Sequence, residues 1–600
     1  MKRRQFLVST GAAAIAASVP WPAFAQTQGD AALRDVIDRT FRGDMLLSPQ
    51  AMTSLGLDTG VDAAMRSRLD ETGPASERAA ADHARKMLGE VKAISPEGLS
   101  ETWQVRREIV EYLLGKRLIS EPFGIQHVGA PYRISQQDGI YFQIPDFLDS
   151  THPVETAADA EAYLSRLEAF PQRLDEQSEN QRADAARGYL APGWSLDLAM
   201  GQIEAQLRPA PGENNMVRSL VRRTGEKNLS GDWQARATKL VEGEVYPALR
   251  RQLELLKGLR PSTPAGDGVW RVPRGDEIYA QALDYFTTTP LSPEEIHRTG
   301  LEQVAEISAE LDKLMRADGL TSGTVGERLI QLSERPDQLF PNDDAGREAL
   351  IASLNHGVEA MQAKLPKAFA TIPSQPLVVK RVPVEIQDGA PSGYYNIASL
   401  DGSRPAIYWI NLKDTAEWPK FTLPALTYHE GVPGHHLHLS LLQQDEDLPL
   451  LLKNYWLSAH GEGWALYAEM LADELDGYTG IEKAGALQSW LFRAARLVVD
   501  TGLNAKRWTR EEATDYLVAN TGYARPMAQR EIERYCASPG QACSYKIGQN
   551  EWVRLRRRSE QELGAKFDLR QFHEILKEGS MPLELLDQRV AAWAARVKTA

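Results

Sequence analysis

His429-Glu430-Gly431-Val432-Pro433-Gly434-His435-His436 is the stretch on which the reading of this chain turns. It lies in a crowd: five of the eleven histidines, His429, His435, His436, His438 and His460, fall between residues 429 and 460. Scattered core histidines do not cluster in this way, whereas a metal site requires it. A catalytic zinc ion takes three protein ligands from His and carboxylate side chains and keeps one position for water. In the familiar His-Glu-x-x-His helix the two imidazoles share a face at i and i+4, with Glu as general base. Here position 433 is proline. In a straight helix His435 and His436 would sit about 9 and 10.5 Å further along the axis than His429, too far for two bonds of about 2 Å to one ion. The spacing therefore predicts a break between the ligands, and Gly431, Pro433 and Gly434 are residues that permit one. Either His435 or His436 can then be the second ligand.

A third ligand is available downstream in His460-Gly461-Glu462-Gly463-Trp464-Ala465-Leu466-Tyr467-Ala468-Glu469. Glu462 and Glu469 share a helical face. Glu462 is assigned to the metal, and Glu469 to a hydrogen bond on a ligand imidazole. Glu430 is the candidate base. Tyr545, His460 and Tyr535 are candidate donors to a developing oxyanion. Arg534 and Lys546, with Arg493 and Arg496 as further cations, are candidates to bind a substrate carboxylate, and Tyr408 is a further candidate substrate contact.

Helical periodicity dominates the chain. Ala160, Tyr163, Leu164, Leu167 and Phe170 form one stripe within 157–180. Ser292-Pro293-Glu294-Glu295 has Ser at N-cap, Pro at N1 and Glu at N3, and predicts a helix running to about Ala317. Residues 347–365 and 484–499 also read as helices. Strand signals are confined to 378–384, 393–397 and 406–410. The last two flank Asp401-Gly402-Ser403 and so predict a hairpin, which is a candidate edge for pairing with peptide backbone. The expected fold is mostly α, with a small antiparallel sheet just before the metal-binding helix. Residues 258–276, rich in Pro and Gly, divide an N-terminal helical region (26–260) from a metal-binding region (275–600), or else form a surface loop within one continuous body.

The motif from His429 to His436, followed by Glu462-Gly463-Trp464-Ala465-Leu466-Tyr467-Ala468-Glu469, resembles the bacterial "domain of unknown function 885" family. The likeness extends through Arg-Leu-Val-Val-Asp-Thr-Gly at 496–502, Glu533-Arg534-Tyr535, Pro539-Gly540-Gln541 and Ser544-Tyr545-Lys546-Ile547-Gly548. That family in turn resembles the Taq-type carboxypeptidases. This second resemblance implies a large helical metallopeptidase body with a deep groove. Matching the Gly-His pairs of the two families puts Gly434-His435 in register, with two residues inserted, and so favours His435 over His436.

The expected activity is that of an exported zinc hydrolase, with one ion, cleaving peptides as a carboxypeptidase or oligopeptidase. A metal-dependent amidase or esterase on a small non-peptide substrate, and a non-catalytic metal- or peptide-binding protein, are the alternatives. Two His and one carboxylate also suit iron; export and the adjacent Glu430 favour zinc. The net charge of −14 argues against nucleic acid as partner. Residues 1–25, with Lys2-Arg3-Arg4 before Phe6-Leu7, a mild apolar run and Ala23-Phe24-Ala25, read as a leader of twin-arginine type, cleaved near Ala25 to give a periplasmic or secreted protein. No cysteine lies near that point to carry a lipid, and no later run reaches the length of a membrane span. Oligomeric state has no signature in the sequence. Cys536 and Cys543, the only cysteines, either form a small disulfide loop, which an oxidising compartment favours, or stay as two reduced thiols.

Overall fold

Helix-start chemistry sets much of the architecture. The computed structural model describes residues 27–599 apart from 383, 385–386, 388–392 and 399–403; the leader at 1–25 and the turn at Asp401-Gly402-Ser403 lie outside the described residues. Helix α1 (Ala157–Ala186) begins at a capping box of Thr156 and Asp159 and carries the apolar stripe read above. Helix α2 (Pro293–Ala317) begins at the predicted box, with Ser292 accepting from the Glu295 backbone N–H and Glu295 accepting in return. Helix α3 (Asp344–Gln362) is capped by Asp343 and brings Leu350 and Leu354 under the sheet.

The sheet comprises β1 (Leu377–Arg381), β2 (Gly393–Asn396) and β3 (Ala406–Ile410), in the order β1-β3-β2. β2 and β3 pair antiparallel, Tyr395 opposite Tyr408, as the hairpin reading requires. β1 pairs with β3 in parallel, so the sheet is mixed rather than antiparallel. The cause is topological: successive strands reverse direction, and β3 inserts between the first two. β2 is left at an edge.

Beyond the sheet follow α4 (Leu423–Glu430), α5 (His435–Gln444), α6 (Ser458–Glu474), α7 (Glu482–Asn504), α8 (Arg525–Ala537) and α9 (Gln541–Leu563). α4 packs on α3, α6 and α7, α2 lies along α7, and α6 lies along α9. One buried apolar cluster runs from Leu33 and Ile37 through Tyr163, Leu249, Trp464 and Trp552 to Trp593, so both halves of the sequence share a core. The Pro- and Gly-rich stretch is pinned to α7: the Val269 backbone N–H donates to Asn504 Oδ1 at 2.9 Å, and Trp270 Nε1–H donates to the Leu503 carbonyl at 3.1 Å.

Cys536 and Cys543 are both free and buried, which corrects the disulfide expectation. The chain turns between α8 and α9 at Gly540, and the Cys543 thiol faces Asp500 and Tyr279 instead of Cys536. Burial pushes both thiols up, so they stay protonated.

The α6–α9 crossing is backbone against backbone. A Cβ on Gly548 would lie 1.9 Å from the Ala459 carbonyl oxygen, and one on Gly463 would lie 2.4 Å from the Gly548 carbonyl carbon. Gly548→Ala should therefore force the helices apart and lower stability by about 1–3 kcal/mol, read as a lower denaturation midpoint. An unchanged midpoint would show that the crossing is looser than described.

Candidate metal centre

The predicted break falls between α4 and α5. α4 ends at Glu430, where the Gly431 N–H closes on the Thr427 carbonyl at 2.8 Å. A cis Val432-Pro433 peptide follows, and α5 opens at His435. The turn is tight enough that a Cβ on Gly434 would lie 2.0 Å from the His429 carbonyl oxygen and 2.3 Å from that of Tyr428. Trp464 on α6 locks it from below, its Nε1–H donating to the Pro433 carbonyl at 3.0 Å.

This turn brings His429, His435 and Glu462 together, and their ligand atoms all lie within 4.8 Å of one another. His429 Nε2 is 3.4 Å and His435 Nε2 is 3.3 Å from Glu462 Oε2. That buried oxygen nevertheless makes no hydrogen bond, and His435 Nδ1 has no partner either. Bonds of about 2.0–2.1 Å at tetrahedral angles place neighbouring ligand atoms about 3.3 Å apart, so the donor set fits a small divalent ion.

His429 Nδ1 meets Glu469 Oε1 at 2.8 Å. A carboxylate only accepts, so Nδ1 carries a proton, and Nε2 faces the centre with a lone pair that becomes available once the ring is neutral. Burial draws the His429 pKa down, but Glu462 and Glu469 outweigh it and raise it to about 9. Burial likewise opposes the charge on Glu462, yet His435 and His429 hold its carboxyl well below the usual carboxylate range. The centre is sealed on the His429–Glu469 side, where side-chain exposure is 3% and 0%. It opens at His435 and Glu462, with 9% and 13%.

Glu430, directly after the first imidazole, is buried and close enough for its charge to act on both His429 and Tyr408. Tyr545 is partly exposed on α9 and stacks on His429, with ring centroids 6.4 Å apart. Burial and the nearby Glu462 push its pKa up, so it keeps its proton.

Other candidates stand elsewhere. His436 is turned away: its Nε2 donates to the Gln375 carbonyl at 3.0 Å, and the Tyr395 hydroxyl donates to its Nδ1 at 3.1 Å. His460 is two residues from Glu462 on one helix and so points to another side; its ring packs on His438 and Trp552. Tyr408 is fully buried under the sheet, beside Glu430. Lys546 is buried behind Glu469; its Nζ donates to Gln549 Oε1 at 2.7 Å, and burial lowers its pKa to about 8. Arg534 donates to Glu531 and Gln541. Tyr535 is buried and bonded to Arg496 and Glu531.

The profile of the family described as bacterial protein of unknown function (DUF885) matches residues 49–590. The chain belongs to this family. A crystal structure of a candidate lipoprotein from Colwellia psychrerythraea is 32% identical over 95% of this chain and 100% of its own, with a TM-score of 0.92. A candidate lipoprotein of unknown function from Shewanella oneidensis shares the fold at 16% identity, with a TM-score of 0.71 over 93% of this chain and 99% of its own. No curated protein matches the chain.

In this DUF885 chain, sequence reasoning missed Trp456, whose ring stands edge-on to His435 at 5.5 Å, and Glu531, the carboxylate between two of the named arginines. Glu531 stands three residues before Arg534 on α8, but its other partner, Arg496, lies on α7, and Trp456 reaches His435 from the loop before α6, so neither contact is given by one local spacing. Two measurements check the geometry. His435→Ala should abolish stoichiometric binding of a divalent metal, whereas His436→Ala should retain it, read by elemental analysis. The reverse pattern would reassign the ligand. Because the carboxylates keep a proton on His429 until about pH 9, zinc must expel it. Zinc affinity, measured by chelator competition, should rise about tenfold per pH unit from neutrality and level off above that pH; a flat profile would contradict the assignment.

Proposed function

We propose that the protein is an exported, zinc-dependent hydrolase acting on peptide bonds. The observation that carries this reading is a carboxylate oxygen held 3.3 and 3.4 Å from two imidazole nitrogens without a hydrogen bond, beside a ligand histidine followed directly by a buried Glu. A divalent ion at His429, His435 and Glu462 would lower the pKa of a water molecule and polarise a scissile carbonyl. Glu430 takes the proton of the attacking water and returns it to the leaving amine. Glu469 fixes the tautomer and orientation of His429. Tyr545, protonated and stacked on His429, supplies a donor on the open side. The edge strand β2 offers backbone groups on which an extended substrate can align.

Export is supported by the leader-like start of the sequence and by two relatives described as candidate lipoproteins. No described helix is long and apolar enough to cross a membrane. The resemblance to Taq-type carboxypeptidases supports a peptide substrate over a small amide or ester. Glu430 separates a hydrolase from a binding protein, which has no use for a base at that position.

Elemental analysis of the gently purified protein should find one divalent ion per chain, and Glu430→Gln should keep it. Cleavage of a mixed peptide library, read by mass spectrometry, should fall by about 10²–10⁴-fold in that variant. Undiminished cleavage with metal retained would remove Glu430 from its role. A wild-type protein without metal would remove the scheme.

A further inference from the structure

In a chain with net charge −14, positive charge collects at one side of the centre. Arg496 lies on α7 and Arg534 on α8, and both donate to the same Glu531 Oε2, each at 2.9 Å. One carboxylate thus serves two guanidinium groups. Arg493 and Lys546 are hydrogen-bonded to neutral groups, Ser489 Oγ at 2.6 Å and Gln549 Oε1 at 2.7 Å, and Lys546 also feels the charges of Glu469, Glu306 and Arg493. Arg496 is 6% exposed, and its Nη1 is buried without any hydrogen-bond partner. A buried guanidinium nitrogen left bare costs free energy unless something else fills the place.

Tyr545 links this cluster to the metal ligands. One side of the relation is its stacking on His429 at 6.4 Å; the other is the Arg496 guanidinium 4.5 Å from the same ring's centroid. Arg496 therefore lies no further from the His429 ring than the sum of those two spans. An extended peptide advances about 3.3–3.6 Å per residue. A carboxylate one to three residues beyond a carbonyl at the metal centre falls within that reach. Guanidinium groups suit it because their donors match both carboxylate oxygens.

We propose that Arg496 and Arg534, flanked by Tyr545, form a carboxylate-binding subsite on the leaving side of the scissile bond. This rests on the peptide-hydrolase reading for its place in a reaction, but not for its binding chemistry. The carboxylate comes either from the C-terminus of the substrate or from an acidic side chain near it.

The test uses metal-loaded Glu430→Gln protein, which binds without turnover, and calorimetric titration with N-acetyl-Ala-Ala-Ala as free acid and as C-terminal amide, then with amides carrying Asp at successive positions. The free acid or one of the Asp amides should bind at least about tenfold tighter than the plain amide. The first result assigns the C-terminus, the second the side chain. Adding Arg534→Gln, whose side chain is partly exposed and whose metal content reports the fold, should bring the preference within about twofold; Arg496→Gln should do the same. Equal binding of all the peptides overturns the subsite, as does a preference that survives both arginine substitutions with metal intact. If acids bind preferentially but the wild-type protein cuts no peptide, the hydrolase reading fails and the subsite stands.

Discussion

Between Glu430 and His435 the chain leaves helical geometry, and the placing of two imidazoles against one carboxylate follows from that turn. A continuous helix would hold His429 and His435 about 9 Å apart along its axis. The break folds α5 back so that both nitrogens reach Glu462 Oε2 at 3.3–3.4 Å. Gly434 is needed because its α-carbon faces two carbonyl oxygens at a distance no side chain tolerates. Trp464, on the helix that carries Glu462, ties the turn to the third ligand through the Pro433 carbonyl. The ligand helix and the break are thus registered to each other by one hydrogen bond.

Helix α6 in turn takes its position from α9. The Gly463–Gly548 contact lets the two backbones touch, and this brings Tyr545 to His429 and Lys546 to Glu469. Burial alone would push the Glu462 carboxyl up, but His435 and His429 hold it well below the usual carboxylate range, and His429 bridges it to Glu469. The same packing places the Arg496–Glu531–Arg534 cluster on the other side of Tyr545. The candidate ligands, the candidate base and the cations are therefore parts of one helix assembly, not separate patches.

The sequence was most informative where chemistry is local. The Ser292 capping box, the stripe of α1 and the break at Gly431–Gly434 follow from near neighbours, whereas the His429–Glu469 hydrogen bond, which spans 40 residues, was expected from the chemistry a metal site needs. The Gly-His register of the resembled family favoured His435 over His436, and the fold supplies the physical reason, with His436 committed to Gln375 and Tyr395. The parallel β1–β3 pair escaped notice because strand order is not written in strand propensity. The cysteines misled by proximity: separation along the chain says nothing about the direction of side chains on two helices. His460 was drawn in by crowding, although helical spacing alone sets it off the Glu462 face. Glu531 and Arg534 are a local pair three residues apart on α8, whereas the bond from Arg496 on α7 to the same carboxylate crosses helices and leaves no trace in local spacing.

The central claim is the identity of the three ligands. Anomalous diffraction at the zinc absorption edge, from crystals of the full protein grown with zinc, measures it directly. The account predicts a single strong peak about 2.0–2.2 Å from His429 Nε2, His435 Nε2 and a Glu462 oxygen, with His436 still bonded to Gln375. A peak on His436 or His460, or no peak at this cluster with zinc in excess, would contradict it.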